Sequence, residues 1–301
     1  MAEWIDLVDP TEEELEAKAP AGLHPTALKQ LLAPPEHDDE PRPKLEPHGD
    51  YVFGVLLVAV AVPDEDRVYY QEVDLILTRD VLLTVSKTPP GEKPFDPRPA
   101  KEACRPDDGP GMYAFHLVDE IAERYLDLID ALNDEIDELE ERVELARPAE
   151  VRQRFSDLRR DIFGIRRTLT PTRDAVHKIV DDRIELEAGE LFPREVELHF
   201  ADAYDKLLRA TEALETSRDM IAGVRDYAQG KIANDQNEVM KRLTLIASLL
   251  LLPTFIVGLY GQNFRHKFPE LGWTYGYAWS WGLIVATTAF QLVFFWKKKW
   301  I

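Results

Sequence analysis

The sequence predicts an α+β domain, followed by a helical stalk and a two-helix transmembrane domain. Short strand-like apolar runs precede residue 87, and a helical spacing of apolar residues takes over after residue 111. The C-terminal part contains two apolar spans without a charged residue, 243–260 and 277–296. The predicted boundaries are 1–110 for the α/β domain, 111–242 for the stalk and 243–301 for the transmembrane domain.

The first domain is predicted to be a mixed sheet flanked by helices. A short strand at Trp4–Val8 precedes the capping box of Thr11 and Glu14, which opens a helix. Turn residues separate three longer strand-like runs, at 51–62, 68–78 and 81–86. The proline-rich segments 34–47 and 88–111 are predicted to be loops, because proline donates no backbone hydrogen bond.

The stalk is predicted to contain three helices. The first has apolar residues at spacings of three and four and ends at Pro148, and the second begins at Val151 and is interrupted at Pro171. The third begins near Pro193 and continues to Pro253, so that about sixty residues form a helix of about 90 Å. Such a helix has to pack against the preceding helices or against copies of itself.

The two apolar spans are each long enough to cross a hydrocarbon core of about 30 Å. Basic residues precede the first span at Lys241-Arg242 and follow the second at 297–299. Their distribution predicts that both termini are cytoplasmic and that the loop 261–276 lies outside. No signal peptide is recognised, so the residues before the first span are expected to stay in the cytoplasm. A multi-pass protein of the cytoplasmic (inner) membrane is expected.

Composition narrows the classes of partner. The formal net charge is -20, which disfavours nucleic acid and an anionic membrane surface and is compatible with attracting cations. The single cysteine, Cys104, excludes an intramolecular disulfide. No nucleotide-binding loop, His–Cys cluster or nucleophile motif is recognised, so an enzyme is not predicted.

One face of the first span carries small and polar residues at spacings of three and four: Asn237, Met240, Thr244, Ala247, Leu251, Thr254 and Gly258. Such a stripe in a membrane helix marks close helix packing or a water-lined pathway. A ring of identical helices would form a conduit with apolar collars at Met240 and Leu251, which can gate by dewetting. The alternative is a membrane-anchored coiled-coil scaffold that conducts nothing.

The loop after the first span opens with Tyr260-Gly261-Gln262-Asn263-Phe264 and continues with Pro269-Glu270-Leu271. Further landmarks are Trp4-Ile5-Asp6-Leu7 near the N-terminus and Pro171-Thr172-Arg173-Asp174 in the stalk. In this order, these motifs resemble the CorA family of divalent-cation channels over nearly the whole chain. The resemblance implies a homopentamer whose long third stalk helix lines a funnel and a pore.

The resemblance also implies roles for individual residues. Gly261, Gln262 and Asn263 correspond to the Gly-Met-Asn selectivity filter of the family. The residues implied to line the pore are Asn237, Met240, Leu243, Ala247, Leu251 and Thr254. Five copies of the Asn263 amide, with the carbonyls of Gly261, would bind hydrated magnesium through its water molecules.

The sequence departs from the magnesium-channel pattern in two places. Gln262 stands where methionine is usual, and the related ZntB-like zinc transporters tolerate other residues there. The loop residues Arg265, His266 and Lys267 are basic, and His266 is a candidate zinc ligand. The family resemblance makes magnesium the first expected cargo, and the two departures leave cobalt, nickel or zinc as alternatives. A ZntB-like zinc transporter and a non-conducting scaffold remain alternative functions.

The resemblance further implies a regulatory magnesium site between subunits of the cytoplasmic funnel. Asp202 matches the stalk carboxylate of that site, and Asp205 lies about one helical turn further on. Partner acids are expected after the strand that ends near residue 86, but Lys87 stands there and is expected to repel the ion. The expected partners are thus divalent cations, the lipid bilayer and other copies of the chain.

Overall fold

A computed structural model describes residues 2–35, 42–62, 67–145, 147–184, 186, 190–262 and 272–300. The chain forms two compact units, Met1–Arg225 and Asp226–Ile301. The predicted division into three domains at 1–110, 111–242 and 243–301 remains a prediction.

A five-stranded mixed sheet forms the centre of the first unit. Its strands are β1 (Glu3–Val8), β2 (Lys44–His48), β3 (Tyr51–Val62), β4 (Arg67–Leu77) and β5 (Val81–Lys87). The spatial order is β1-β5-β4-β3-β2, with β1 parallel to β5 and the other neighbours antiparallel. The mixed sheet is confirmed, but the prediction that 34–47 is entirely a loop is wrong. Pro47 is tolerated because β2 is an edge strand, where a missing N–H need not disrupt the sheet.

Three short helices accompany the sheet: α1 (Glu12–Lys18), α2 (Pro25–Leu32) and α3 (Arg98–Ala103). The capping box of α1 is confirmed, because the Thr11 side chain accepts the N–H of Glu14 while the Glu14 carboxylate accepts the N–H of Thr11. Helix α2 is not among the predicted elements. The prediction of a loop where α3 lies is wrong, because Pro99 falls in the first turn, where a helix needs no N–H.

Three long helices follow: α4 (Pro110–Arg142), α5 (Pro148–Val180) and α6 (Arg194–Tyr260). The predicted interruption of the second stalk helix is wrong, since Pro171 lies inside α5. Thr168, Leu169 and Thr172 are buried around it, and the Thr172 hydroxyl donates to the Thr168 carbonyl at 2.9 Å. Burial of this turn outweighs the one hydrogen bond that proline removes. Pro253 likewise lies inside α6.

Helices pack against the sheet of the first unit. Helices α1 and α2 pack on the sheet through a cluster of buried residues: Leu7, Leu15, Ala27, Leu31, Tyr51, Phe53, Val55, Ile76, Leu83 and Val85. Helices α4 and α5 also contact the sheet. The Tyr125 hydroxyl of α4 donates to the Leu57 carbonyl of β3 and lies 2.8 Å from the Thr168 hydroxyl of α5. Tyr125 therefore joins three elements at one buried point.

The N-terminal part of α6 packs against the two preceding helices, one of the two arrangements that the sequence allows. The Ser217 hydroxyl donates to the Asn133 side chain of α4 at 2.6 Å. The Arg166 guanidinium of α5 lies 3.0 Å from the Glu215 carboxylate. The stalk helices are thus connected within one chain.

The second unit consists of the C-terminal part of α6 and α7 (Gly276–Lys297). Both helices are long and apolar enough to cross a membrane. The Trp279 indole N–H donates to the Tyr260 hydroxyl, and the Gln291 amide donates to the Ser248 carbonyl, both at 3.1 Å. These contacts join the two predicted spans as a hairpin.

Candidate ion pathway

The part of α6 in the second unit has two different faces. Ser248 and the buried Ile256 lie on the side that α7 covers. Ala247, Leu251 and Thr254 lie about 100–160° further around the helix. Leu251 is 72% exposed, whereas Ile256 is only 5% exposed. Within the hairpin, α7 thus leaves the stripe of small and polar residues uncovered.

All the residues predicted to line a pore are exposed in the single chain: Asn237, Met240, Leu243, Ala247, Leu251 and Thr254. Exposure of this kind makes the stripe available to other copies of the chain. The assignment of these residues to a pore remains a prediction.

One of the hydroxyl groups on this stripe, that of Thr254, has a defined polarity. The Thr254 hydroxyl donates to the Leu250 carbonyl at 2.6 Å. Since its single proton is used within the helix, the oxygen presents only lone pairs to its surroundings. A hydrated cation directs water hydrogens outward, so acceptor oxygens are the groups that suit it. Thr254 is chemically suited to the role predicted for it.

The C-terminal end of α6 leads directly into the predicted filter. The N–H of Gly261 donates to the Val257 carbonyl at 2.8 Å. A Cβ atom at position 261 would lie only 3.0 Å from that carbonyl oxygen, so the close approach favours glycine. The partial negative charge of a helix C-terminus attracts cations. Gln262 is exposed, whereas Asn263 and the basic residues of the loop fall outside the described residues.

The predicted regulatory carboxylates lie on the first unit's part of α6. Asp202 and Asp205 are exposed, and they line a shallow cavity of about 630 Å³ together with Phe115, Asp119, Lys206, Leu208, Arg209 and Glu212. The Lys206 ammonium lies 2.7 Å from Asp119 and 2.5 Å from Glu123. Burial works to lower the pKa of Lys206, but its hydrogen bonds to these two carboxylates raise it overall. Lys206 therefore compensates Asp119, whereas Asp202 and Asp205 face solvent.

Lys87 does not have the role expected from its position in the sequence. It is 5% exposed, and its ammonium lies 2.5 Å from the Glu72 carboxylate and 2.8 Å from that of Asp74. It also donates to the Gln30 carbonyl at 3.0 Å. Because two buried carboxylates compensate its charge, Lys87 is not the free positive charge on which the expected repulsion of a metal ion depends.

The buried charged groups around Lys87 shift one another's pKa values. Burial raises the pKa of Asp74 to about 7, even though the Lys87 ammonium works in the opposite direction. Burial alone would lower the pKa of Lys87, but Asp74 and Glu72 together raise it. The Lys87 ammonium thus forms ion pairs with two carboxylates inside the sheet.

The structure also brings together three residues that the sequence analysis does not connect. Cys104, Asp108 and His116 place their ligand atoms within 4.8 Å of one another. The expectation that the chain has no His–Cys cluster is therefore wrong. The spacing matches no standard metal motif, and only the α3–α4 connection brings the side chains together. Burial, followed by the charge of Asp108, raises the pKa of Cys104 to about 11, so the thiol is not an activated nucleophile.

This architecture and the hairpin have counterparts among known proteins. The family model described as "CorA-like Mg2+ transporter protein" matches residues 2–299. The chain belongs to the CorA-like family. The Cobalt/magnesium transport protein CorA of Thermotoga maritima is 33% identical over 287 residues, which cover 93% of this chain and 77% of that protein. The protein of the same name from Methanocaldococcus jannaschii is 24% identical over 267 residues, covering 87% of this chain and 80% of that protein.

Solved structures show the same CorA-like fold. The complete CorA magnesium transporter of Methanocaldococcus jannaschii aligns with a TM-score of 0.79 and 22% identity, covering 99% of this chain and 91% of that chain. The ZntB cytoplasmic domain of Vibrio parahaemolyticus aligns with a TM-score of 0.55 and 16% identity, covering 77% and 88% of the two chains. The predicted combination of a mixed sheet, a long helix and a two-helix hairpin is confirmed.

Proposed function

We propose that this protein is a divalent-cation channel or transporter that conducts hydrated magnesium across the cytoplasmic membrane through a homopentameric pore. The observation that carries the proposal is the stripe on α6, which α7 leaves uncovered and on which Thr254 presents acceptor oxygen. Membership of the CorA-like family and the names of its cobalt and magnesium transport relatives support it.

In a ring of identical chains, the stripe of each chain would face the central axis and line the pathway. Closed rotational symmetry is the usual way in which identical subunits cover the same exposed surface. In such a ring, small residues such as Ala247 permit close approach of the helices, and Thr254 supplies polar oxygens. Leu251 and Met240 provide apolar collars that stop ions when water leaves them. The pentameric number rests on the family resemblance.

The filter is proposed at the outer end of α6. Asn263 supplies amide oxygens and Gly261 supplies carbonyls, and both bind the water molecules of the ion and leave its first shell intact. Magnesium loses water reluctantly, so this outer-sphere contact suits it better than a dehydrated cage does. Basic residues precede the first span and follow the second. Their positions support cytoplasmic termini and an outer position for the loop 261–276.

The test is magnesium uptake by the purified protein in liposomes that contain a magnesium indicator. The variant Asn263→Ala is expected to reduce uptake on the order of tenfold, because it removes the filter amide. Thr274→Ala, an exposed substitution between the same two helices, is the matched control and should leave uptake unchanged. Uptake of neither magnesium nor cobalt by a correctly assembled pentamer would refute the proposal.

A second candidate function is ZntB-like zinc transport, which Gln262 at the methionine position of the filter favours. The same liposomes distinguish it, with zinc added and a proton gradient imposed. Zinc flux that requires an opposing proton gradient would replace the magnesium proposal. Magnesium flux that is indifferent to the gradient would retain it.

We also infer that Asp202 and Asp205 bind a regulatory magnesium ion together with a neighbouring subunit. Their exposure on α6 supports this, because a shared site requires ligands that the single chain leaves open. Asp202→Asn should weaken the inhibition of flux by magnesium on the cytoplasmic side, whereas Glu212→Gln at the same cavity serves as the control. Unaltered inhibition in Asp202→Asn would contradict the inference.

A further inference from the structure

The connection between α3 and α4 brings together three different types of metal-binding side chain. Cys104 caps the C-terminus of α3, Asp108 lies before the start of α4, and His116 lies in the second turn of α4. Their ligand atoms all lie within 4.8 Å of one another. This cluster is separate from the stripe on α6 and from the carboxylates Asp202 and Asp205.

The surrounding contacts hold these ligands in place. The Asp108 carboxylate accepts the N–H of Arg105 at 2.7 Å and lies 3.3 Å from the His116 Nε2 atom. The Cys104 thiol lies 3.3 Å from the carbonyl of Ala100 one helical turn earlier. The side chains of His116 and Asp108 are 15% and 11% exposed. The cluster is thus largely shielded, yet it remains open to an ion from solvent.

The histidine–aspartate pair and the contact of the thiol with the Ala100 carbonyl account for the residues separately, but not for the convergence of all three ligand atoms. A metal ion accounts for all three. Zinc bonds of about 2.0–2.3 Å with tetrahedral angles place ligand atoms about 3.3–3.8 Å apart. Side-chain movements of about 1 Å from the observed positions would therefore complete the site.

We propose that Cys104, Asp108 and His116 bind one Zn²⁺ or Co²⁺ ion, with water in the fourth position. Sulfur and imidazole nitrogen are ligands for these borderline metals. Magnesium prefers oxygen ligands in an octahedron and gains little from such a set. The site therefore distinguishes transition metals from magnesium within the first unit, and it does so independently of conduction through the hairpin.

The proposed metal site lies next to the contact between α4 and α6. Phe115, next to His116 in α4, contacts His199 and Phe200 of α6 at ring-centroid distances of 5.1 and 5.9 Å. Phe115 also lines the cavity that contains Asp202 and Asp205. An ion held by His116 thus lies one residue from the contact between α4 and α6.

The experiment is a cobalt titration of the full-length purified protein under reducing conditions, with magnesium in large excess to occupy oxygen sites. The metal ion displaces the Cys104 thiol proton to solvent as it binds, and the resulting metal–thiolate bond produces a charge-transfer band in the near ultraviolet. Because the chain contains only one cysteine, this band reports Cys104 alone. We expect one cobalt ion per chain with that band, and its loss when zinc is added.

Variants separate the site from other metal binding. Cys104→Ala should abolish the band, and His116→Gln should weaken cobalt affinity by at least about tenfold. His177→Gln is the matched control, because it alters another histidine paired with an aspartate, Asp181, and should leave the titration unchanged.

A wild-type protein that shows no charge-transfer band at saturating cobalt would overturn the proposal. So would an affinity in His116→Gln equal to that of the wild type. The wild-type measurement does not depend on the folding of any variant, and gel filtration of each variant verifies its assembly. Failure to transport magnesium would leave the cobalt result standing, so the two proposals can fail separately.

Discussion

The two units of this protein treat apolar side chains in opposite ways. In the first unit, the apolar stripe of α4 is covered by neighbouring elements, and Leu117, Ile121 and Tyr125 are fully buried. In the second unit, Leu251 and Phe290 are 72% and 71% exposed. The first unit buries its core within one chain, whereas the second leaves large apolar side chains exposed.

The two units also differ in their charged groups. The first unit encloses an ammonium and two carboxylates in its sheet, where each depends on the others for compensation. The apolar spans of the second unit contain no charged side chain and have hydroxyls bonded to their own helix. Substitutions in the first unit are therefore expected to change stability, and those on the stripe of the second unit to change conduction.

The largest expected effect follows from removing the buried ammonium. Lys87→Met leaves Glu72 and Asp74 without a counter-charge, which should cost about 3–5 kcal/mol of unfolding free energy. Scanning fluorimetry of the full-length protein in detergent should show a Tm lower by about 10 °C. Lys44→Met, which removes a partly exposed pair with Glu46, should cost less than about 1 kcal/mol. Equal effects of the two variants would contradict the importance of burial.

The next effect concerns pH. The folded-state pKa of Asp74 is raised to about 7 by burial, so between about pH 4 and 7 the folded state binds a proton that the unfolded state has lost. This contribution to stability is present at low pH and disappears as pH rises through 7, a loss of about 2 kcal/mol between about pH 5 and 7. Asp74→Asn should flatten this slope, as Tm values across the range would show. If Tm depends on pH equally in Asp74→Asn and in the wild type, groups other than Asp74 cause the pH dependence.

A smaller effect is expected at Tyr125. Tyr125→Phe removes a buried hydroxyl and leaves the Leu57 carbonyl without that donor, which should cost about 1–2 kcal/mol. The ring remains, so packing between α4 and the sheet is retained. Tyr204→Phe on the half-buried surface of α6 is the control and should alter Tm little. A neutral Tyr125→Phe would contradict the contribution to stability assigned to this hydroxyl.

The smallest effect, on transport alone, tests the two exposed surfaces of the hairpin. Leu251→Ala should widen an apolar collar and raise magnesium uptake on the order of threefold. Phe290→Ala on α7 changes a side chain of nearly equal exposure and should leave uptake unchanged, because it is expected to face lipid. Liposome uptake measures both variants. A larger change in Phe290→Ala than in Leu251→Ala would indicate that α7, and not α6, lines the pathway.

The sequence predicts elements whose pattern is local and regular. Strands β3, β4 and β5 match their predictions to within one residue at each end, because long apolar runs end at clear turn residues. The edge strand β2 and the helix α3 contain proline, which local rules assign to loops. Pro171 misleads in the same way, because burial around it stabilises a helix that local propensity would break.

The candidate sites show the same division. The stripe on α6 follows from helical periodicity, so its residues share one face as predicted. The Cys104–Asp108–His116 cluster is invisible in the sequence, because its spacing crosses a short helix and a turn whose geometry local patterns do not specify. Lys87 is likewise 57 residues from the carbonyl of Gln30 that it contacts.

The membrane hairpin, most of the helical stalk and most of the sheet follow from the sequence, because hydrophobicity and periodicity act between neighbouring residues. The compensation of Lys87 inside the sheet, the covering of one face of α6 by α7 and the approach of Cys104 to His116 come from tertiary contacts. These outcomes depend on contacts between elements. Their free energy comes from burial and charge pairing that no single segment contains.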